Sequence, residues 1–226
     1  MRRLWHCTLY ALICCTAVPA AAQRVADSNL TVNARLLIAA RDADAAALAR
    51  ALDDGAAVDS RNRLGESALI VLLKKNRVDL AQVLLDRGAA VNQPAVNGLT
   101  PLMAAVFNGQ VDFCKRLLDK GADPHAVDQL NKNAMTYAAG QGHTEVVKLL
   151  IARGVDPDSV YYNQLTALMW AAGFGKTDTV KALLAAGADP RRKDNRGKTA
   201  ADIAREQNFV DTTHVLEAAE KTGRSS

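Results

Sequence analysis

Aromatic side chains are scarce in this chain, making up 4% of its 226 residues. That scarcity excludes a core centred on large rings. Burial has to come from Ala, Leu, Val and Ile, a palette that suits closely packed short helices. Nothing long enough to span a membrane is evident either. The apolar stretch from Leu4 to Val18 falls short of the roughly 20 residues such a helix needs, and His6 interrupts it. The net charge is small, +4 overall, which argues against nucleic-acid or anionic-membrane binding driven by bulk electrostatics. General disorder is excluded in turn, because 49% of the residues are hydrophobic.

Cysteine is rare and unevenly placed: Cys7, Cys14 and Cys15 lie near the start, and Cys114 stands alone beyond them. The opening segment reads as an export signal. Arg2 and Arg3 supply the positive start, Leu4 to Val18 the apolar stretch, and Ala20-Ala21-Ala22 a small-residue cleavage site before Gln23. Leu4-Trp5-His6 is a poor continuation of a twin-arginine signal. Lipid attachment at Cys14 or Cys15 is a lesser alternative, since neither Ile13 nor Cys14 is the small residue such a site wants ahead of its cysteine. Cleavage after Ala22 leaves Cys114 as the sole cysteine, so no intramolecular disulfide forms although the compartment permits one. Losing Arg2 and Arg3 also lowers the formal charge from +4 to +2.

What the chain does have is a period. Gly55, Gly88, Gly121, Gly154 and Gly187 stand 33 residues apart. Leu84-Leu85, Leu117-Leu118, Leu150-Ile151 and Leu183-Leu184 keep the same spacing. So do Gly65, Gly98 and Gly197, with Asn131 and Gln164 in the intermediate places, and Gly109, Gly142 and Gly175, flanked by Asn76 and Asn208. Ladders in register like these mark a repeat architecture.

The chemistry of each unit follows. Thr100 is an N-cap and Pro101 the first helical residue, a position where the missing N–H costs nothing. Ser67, Asn133, Thr166 and Thr199 occupy the Thr100 slot in the other units. Ala104-Ala105, Ala138-Ala139 and Ala171-Ala172 let neighbouring backbones approach closely, and Asn108-Gly109 or Gly142-His143 then breaks the chain. A second helix follows, with Val146, Val147, Leu149, Leu150 and Ile151 at helical spacing, ending at a left-handed glycine such as Gly154. Ala122-Asp123-Pro124 and Ala188-Asp189-Pro190 lead out into an extended loop. A single unit cannot bury its own apolar face, so the units must stack.

Gly98-Leu99-Thr100-Pro101-Leu102, Gly142-His143-Thr144-Glu145-Val146-Val147-Lys148-Leu149-Leu150 and Gly121-Ala122-Asp123-Pro124 closely resemble the ankyrin repeat. The chain is similar in this respect to exported bacterial, periplasmic members of that family. The resemblance implies an all-α solenoid of helix-turn-helix units with protruding hairpin-like loops. About six repeats cover residues 32–220, after a signal peptide over 1–22 and a flexible linker over 23–31, and before a disordered tail over 221–226. The first repeat, Val32 to Ser60, is an N-terminal cap. The last begins near Arg191, with Thr212, Thr213 and His214 expected on its outward face. The family's histidine after Thr-Pro-Leu is absent, replaced by Ile70, Met103, Thr136, Met169 and Asp202.

No enzymatic constellation emerges. His125, His143 and His214 are spaced by 18 and 71 residues, which fits no zinc motif. Gly173-Phe174-Gly175-Lys176-Thr177 lacks the spacing and preceding strand of a phosphate loop. Cys114 has Ala81, Val147 and Val180 as periodic equivalents and reads as a buried hydrophobe. Arg191-Arg192-Lys193 is diluted by Asp189 and Asp194 and reads as a solvated loop. No catalytic residue, metal ligand or cofactor is therefore expected.

In ankyrin proteins the loop tips and inner helices line a concave binding groove, so the resemblance implies a protein-binding site there. Tyr137 and Trp170, 33 residues apart, fall side by side on adjacent first helices; Phe174 lies one turn beyond Trp170, and Tyr161, Tyr162 and Asn163 lie at a loop tip. These six are the expected partner-binding residues, aromatics being favoured at interfaces. The expected function is a monomeric, non-catalytic scaffold, periplasmic or secreted, with a protein partner and no nucleic acid or membrane span. A lipid-anchored or translocated effector, and a ligand sensor or enzyme with an unrecognised pocket, are the other readings.

Overall fold

The computed structural model describes residues 31–222. The expected signal segment, the expected linker apart from Thr31, and residues 223–226 of the expected tail lie outside them. Among the described residues the chain forms α1 (Val32–Asp42), α2 (Ala45–Asp53), α3 (Ala68–Lys74), α4 (Val78–Asp86), α5 (Pro101–Phe107), α6 (Val111–Asp119), α7 (Ala134–Gln141) and α8 (Thr144–Ala152). It continues through α9 (Ala167–Gly173), α10 (Thr177–Ala185), α11 (Ala200–Glu206) and α12 (Val210–Thr222). One 3₁₀ turn, Tyr162–Gln164, precedes α9.

The odd-numbered helices from α3 on start from the expected caps. Ser67, Thr100, Asn133, Thr166 and Thr199 each accept a hydrogen bond from the backbone N–H three residues on, at 3.4, 3.2, 3.1, 3.3 and 3.3 Å. The absent family histidine is replaced at two of its five places. Thr136 Oγ1 accepts from the Asn133 N–H at 3.0 Å, and Asp202 Oδ2 from the Thr199 N–H at 3.0 Å, closing reciprocal capping boxes.

The second helices α2, α4, α6, α8 and α10 each end in a six-to-one bond. Ala122 N–H reaches Leu117 O at 2.9 Å and Ala188 N–H reaches Leu183 O at 3.0 Å, with Gly121 and Gly187 between them at φ +85 and +93. Beyond these ends the loops close as hairpins, Ala95 N–H to Leu99 O, Asp128 N–H to Lys132 O and Asp194 N–H to Lys198 O, all at 2.9 Å.

The first helices, α1, α3, α5, α7, α9 and α11, stack in chain order through small buried residues such as Ala104, Ala105, Ala138, Ala139, Ala171 and Ala172. Leu84, Leu117, Leu150 and Leu183 of the second helices are fully buried beneath them. Second helices pack closely on one another from α6 onward. Between α4 and α6 lies an open cleft of about 730 Å³ edged by Val78, Gln82, Val111 and Phe113.

The last repeat departs from expectation in one respect. Thr212 and Thr213 are buried, not outward-facing. Thr212 Oγ1 lies 2.7 Å from Thr177 Oγ1 of α10, and Thr213 Oγ1 donates to Phe209 O at 2.9 Å, so both hydroxyls are satisfied inside the stack. Exposed Val210 and His214 face outward instead. The helix itself runs to Thr222.

Candidate partner-binding face

First helices and hairpin tips meet along one face, and the repeat spacing decides which side chains gather there. Trp170 on α9 and Phe174 just after it are four residues apart, so one helical turn stacks their rings at 6.1 Å and 10°. Phe107 at the end of α5 meets Tyr137 of α7 edge-on, with centroids 6.1 Å apart and planes at 74°. Lys132, on the loop entering α7, spans the two groups. Its Nζ lies 4.6 Å from the Trp170 ring centre and 5.9 Å from that of Tyr137, within the range of cation–π attraction.

These residues enclose a cleft of about 250 Å³, floored by Gly140 and edged by Lys176. Phe107 and Phe174 remain about half exposed, at 49% and 54%. The Trp170 indole Nε1 is shielded from solvent and has no acceptor in the structure. Tyr137 Oη donates to Asp128 Oδ2 at 2.5 Å, while Asp128 Oδ1 accepts the Leu130 and Lys132 N–H groups at 2.8 and 2.9 Å. Burial, then the hydrogen bond and charge of Asp128, hold the Tyr137 phenol well above its ordinary range. It is a neutral donor at any physiological pH.

The six expected residues divide three ways. Tyr137, Trp170 and Phe174 come together in the cleft. Tyr162 and Asn163 sit exposed at a hairpin tip apart from it, where Asn163 O accepts the Asn195 N–H at 3.1 Å. Tyr161 belongs to the packing: its ring is half-buried against the core and its Oη accepts from Asn133 Nδ2 at 3.1 Å. Sequence reasoning passed over Phe107, Lys132 and Gly140. The signal for the last two was in register, as charges stand in the corresponding slots of repeats two and six.

Exposed apolar tips extend the face: Leu64, Val96, Leu130 and Tyr162 are each more than half exposed. Adjacent tips are tied by Val96 N–H to Leu64 O and Gln129 N–H to Asn97 O, both at 2.9 Å.

Elsewhere, Cys114 is fully buried, and burial pushes its thiol up to about 12, far from a reactive thiolate. His143 Nε2 lies 3.1 Å from Phe107 O of the preceding repeat, a structural contact. Arg191 pairs with Asp189 at 3.2 Å, and Arg196 with the buried Asp194 at 2.7 Å, which spends part of the basic loop internally. No described residues form a cluster of three or more His, Cys, Asp or Glu able to hold a metal ion. No described helix is long and apolar enough to cross a membrane.

A family model described as "Ankyrin repeats (3 copies)" matches residues 36–128, 117–194 and 135–222. No curated protein matches the sequence.

Proposed function

Because the chain belongs to the ankyrin-repeat family, we propose that it is an exported, non-catalytic scaffold holding a protein partner against its hairpin tips and first helices. The observation that carries this reading is the exposure of an apolar side chain at each of four successive hairpin tips, Leu64, Val96, Leu130 and Tyr162, together with the half-exposed rings of Phe107 and Phe174. Apolar exposure repeated from tip to tip is costly to a monomer in water and is of the kind that marks interaction surfaces. The Val96–Leu64 and Gln129–Asn97 backbone bonds hold the first three of these tips in place beforehand, which limits the ordering cost of association.

Export rests on the Arg2-Arg3 start, the apolar stretch and the Ala20-Ala21-Ala22 cleavage pattern. The scaffold then acts as a monomer in the periplasm or outside the cell. Mass spectrometry of the mature protein distinguishes a Gln23 N-terminus, as expected, from acylation at Cys14 or Cys15, which would make it a lipid-anchored protein instead.

Photocrosslinking in the native host from position 162, followed by mass spectrometry, tests the partner directly. A single dominant protein adduct is expected. Adducts from other tips alone would move the site, and none from any tip would end the protein-scaffold reading.

A further inference from the structure

Two slots on each first-helix unit, the residue just before the N-cap and the one seven places after it, face each other across the helix. In the second repeat they hold Glu66 and Lys74, paired at 2.6 Å. In the last they hold Lys198 and Glu206, paired with the signs exchanged. In the third repeat the slots are apolar, Leu99 and Phe107, and in the fifth they hold Leu165 and Gly173, with no charge to pair. The fourth repeat has half of an ion pair: Lys132 is present, and Gly140 stands where its carboxylate would be. Among the described residues no carboxylate reaches ion-pair distance of Lys132 Nζ, which lies over the Trp170 and Tyr137 rings instead. Lys176, on the rim of the same cleft, has no ion pair among them either.

We propose that the partner supplies the missing carboxylate. The cleft over Gly140 takes a segment in which an acidic side chain neighbours an apolar one. The carboxylate pairs with Lys132 Nζ, and the apolar group lies against Phe174 and Phe107. This rests on the scaffold reading and names the chemistry of its partner. The lack of a side chain at Gly140 is what keeps the place open. A Cβ there would meet Phe174 at 3.6 Å, ordinary contact, so a side chain is sterically allowed and its absence leaves room for one from outside.

The same geometry supplies the test. Gly140→Glu places a carboxylate on the chain where Glu206 serves Lys198, so it satisfies Lys132 internally and closes the cleft without unfolding it. A displayed random-peptide library is selected on the full chain, and the enriched peptides are titrated against variants whose thermal melts match the parent. Acidic residues beside aromatic or aliphatic ones are expected. Affinity should fall roughly tenfold or more, about 1.4 kcal/mol, with Gly140→Glu and Lys132→Gln, and hold with Gly140→Ala. Peptides without acidic residues, or indifferent to Gly140→Glu, would overturn the proposal. If those peptides responded to Tyr162→Ala instead, the scaffold would stand with a different site. A library yielding no binder would also overturn the cleft proposal, while a crosslinked partner from position 162 would still sustain the scaffold.

Discussion

Thr144 Oγ1 and Thr179 Oγ1 lie 2.8 Å apart across the boundary between α8 and α10. Thr179 is buried, and the pair joins consecutive second helices at positions that are apolar earlier in the stack, Val78 and Phe113, then Val111 and Val146. Its counterpart one step on is the Thr177–Thr212 pair at 2.7 Å. Removing one hydroxyl of such a pair strands the other, which costs about 1 kcal/mol or more, whereas removing both can be nearly neutral. Thr179→Val is therefore expected to lower the urea midpoint, and Thr144→Val/Thr179→Val to lower it by less than the two singles combined. Strict additivity would show that the hydroxyls do not depend on one another.

The helix-ending glycines and the hairpin at 162–164 make opposite predictions from one backbone rule. Gly121 has φ +85, and an added Cβ would meet nothing within 4 Å. Gly121→Val should still destabilise the stack, because the left-handed conformation itself costs an L-residue roughly 1–2 kcal/mol, and more when β-branched. Gln164 has φ +60 in the slot that Gly65, Gly98 and Gly197 fill elsewhere. Gln164→Gly should raise stability by about 1 kcal/mol. Unchanged denaturant midpoints in both variants would remove the left-handed assignment.

Acid should weaken the fold through carboxylates that are hydrogen-bonded in it, Glu66 to Lys74 and Asn62, and Asp202 in its capping box. Burial alone would raise the Glu66 carboxyl, but hydrogen bonds from Lys74 and Asn62, together with the Lys74 charge, hold it below its ordinary 4.5. The Thr199 backbone N–H and Arg205 likewise lower Asp202 from 3.8. A carboxyl with a depressed folded value contributes stability that is present above its unfolded value and lost as pH falls through the folded one. Urea midpoints should hold level from neutrality down to about pH 5 and decline below about pH 4. Glu66→Gln should lower the neutral plateau and flatten part of that decline. An identical slope in the variant would mean that Glu66 is not linked to folding.

Period and capping chemistry were legible in the residues because each is local. A Thr or Ser followed by a helix, or a glycine after a leucine pair, acts through backbone groups within a few positions. The cleft was only half legible. Tyr137 and Trp170 announce themselves as aromatics in register, but Lys132 and Gly140 are unremarkable singly. Their meaning appears only when Glu66–Lys74 and Lys198–Glu206 show how a charge in one slot is paired from the other in repeats two and six. Thr212 and Thr213 were misplaced because polarity argues for exposure, and nothing in a single helix reveals that Thr177 waits across the interface.

Tyr161 and Tyr162 are neighbours with opposite fates, and that contrast tests the face. Tyr161 fills the slot that Asp128 and Asp194 hold in adjacent hairpins, and it turns inward to pack on the core and accept from Asn133. Tyr161→Ala should cost about 2 kcal/mol, below the roughly 3–5 of a fully buried aromatic, because the ring is only half covered. Tyr162 is 55% exposed and makes no ring contact among the described residues, so Tyr162→Ala should leave the denaturant midpoint nearly unchanged. Its effect belongs to binding: the crosslinked partner should be captured less efficiently from a neighbouring tip position when the ring is gone. A large stability loss in Tyr162→Ala would place that ring in the packing and leave the tip without its main anchor. Unchanged capture with unchanged stability would shift the weight of recognition onto Phe107, Trp170 and Phe174.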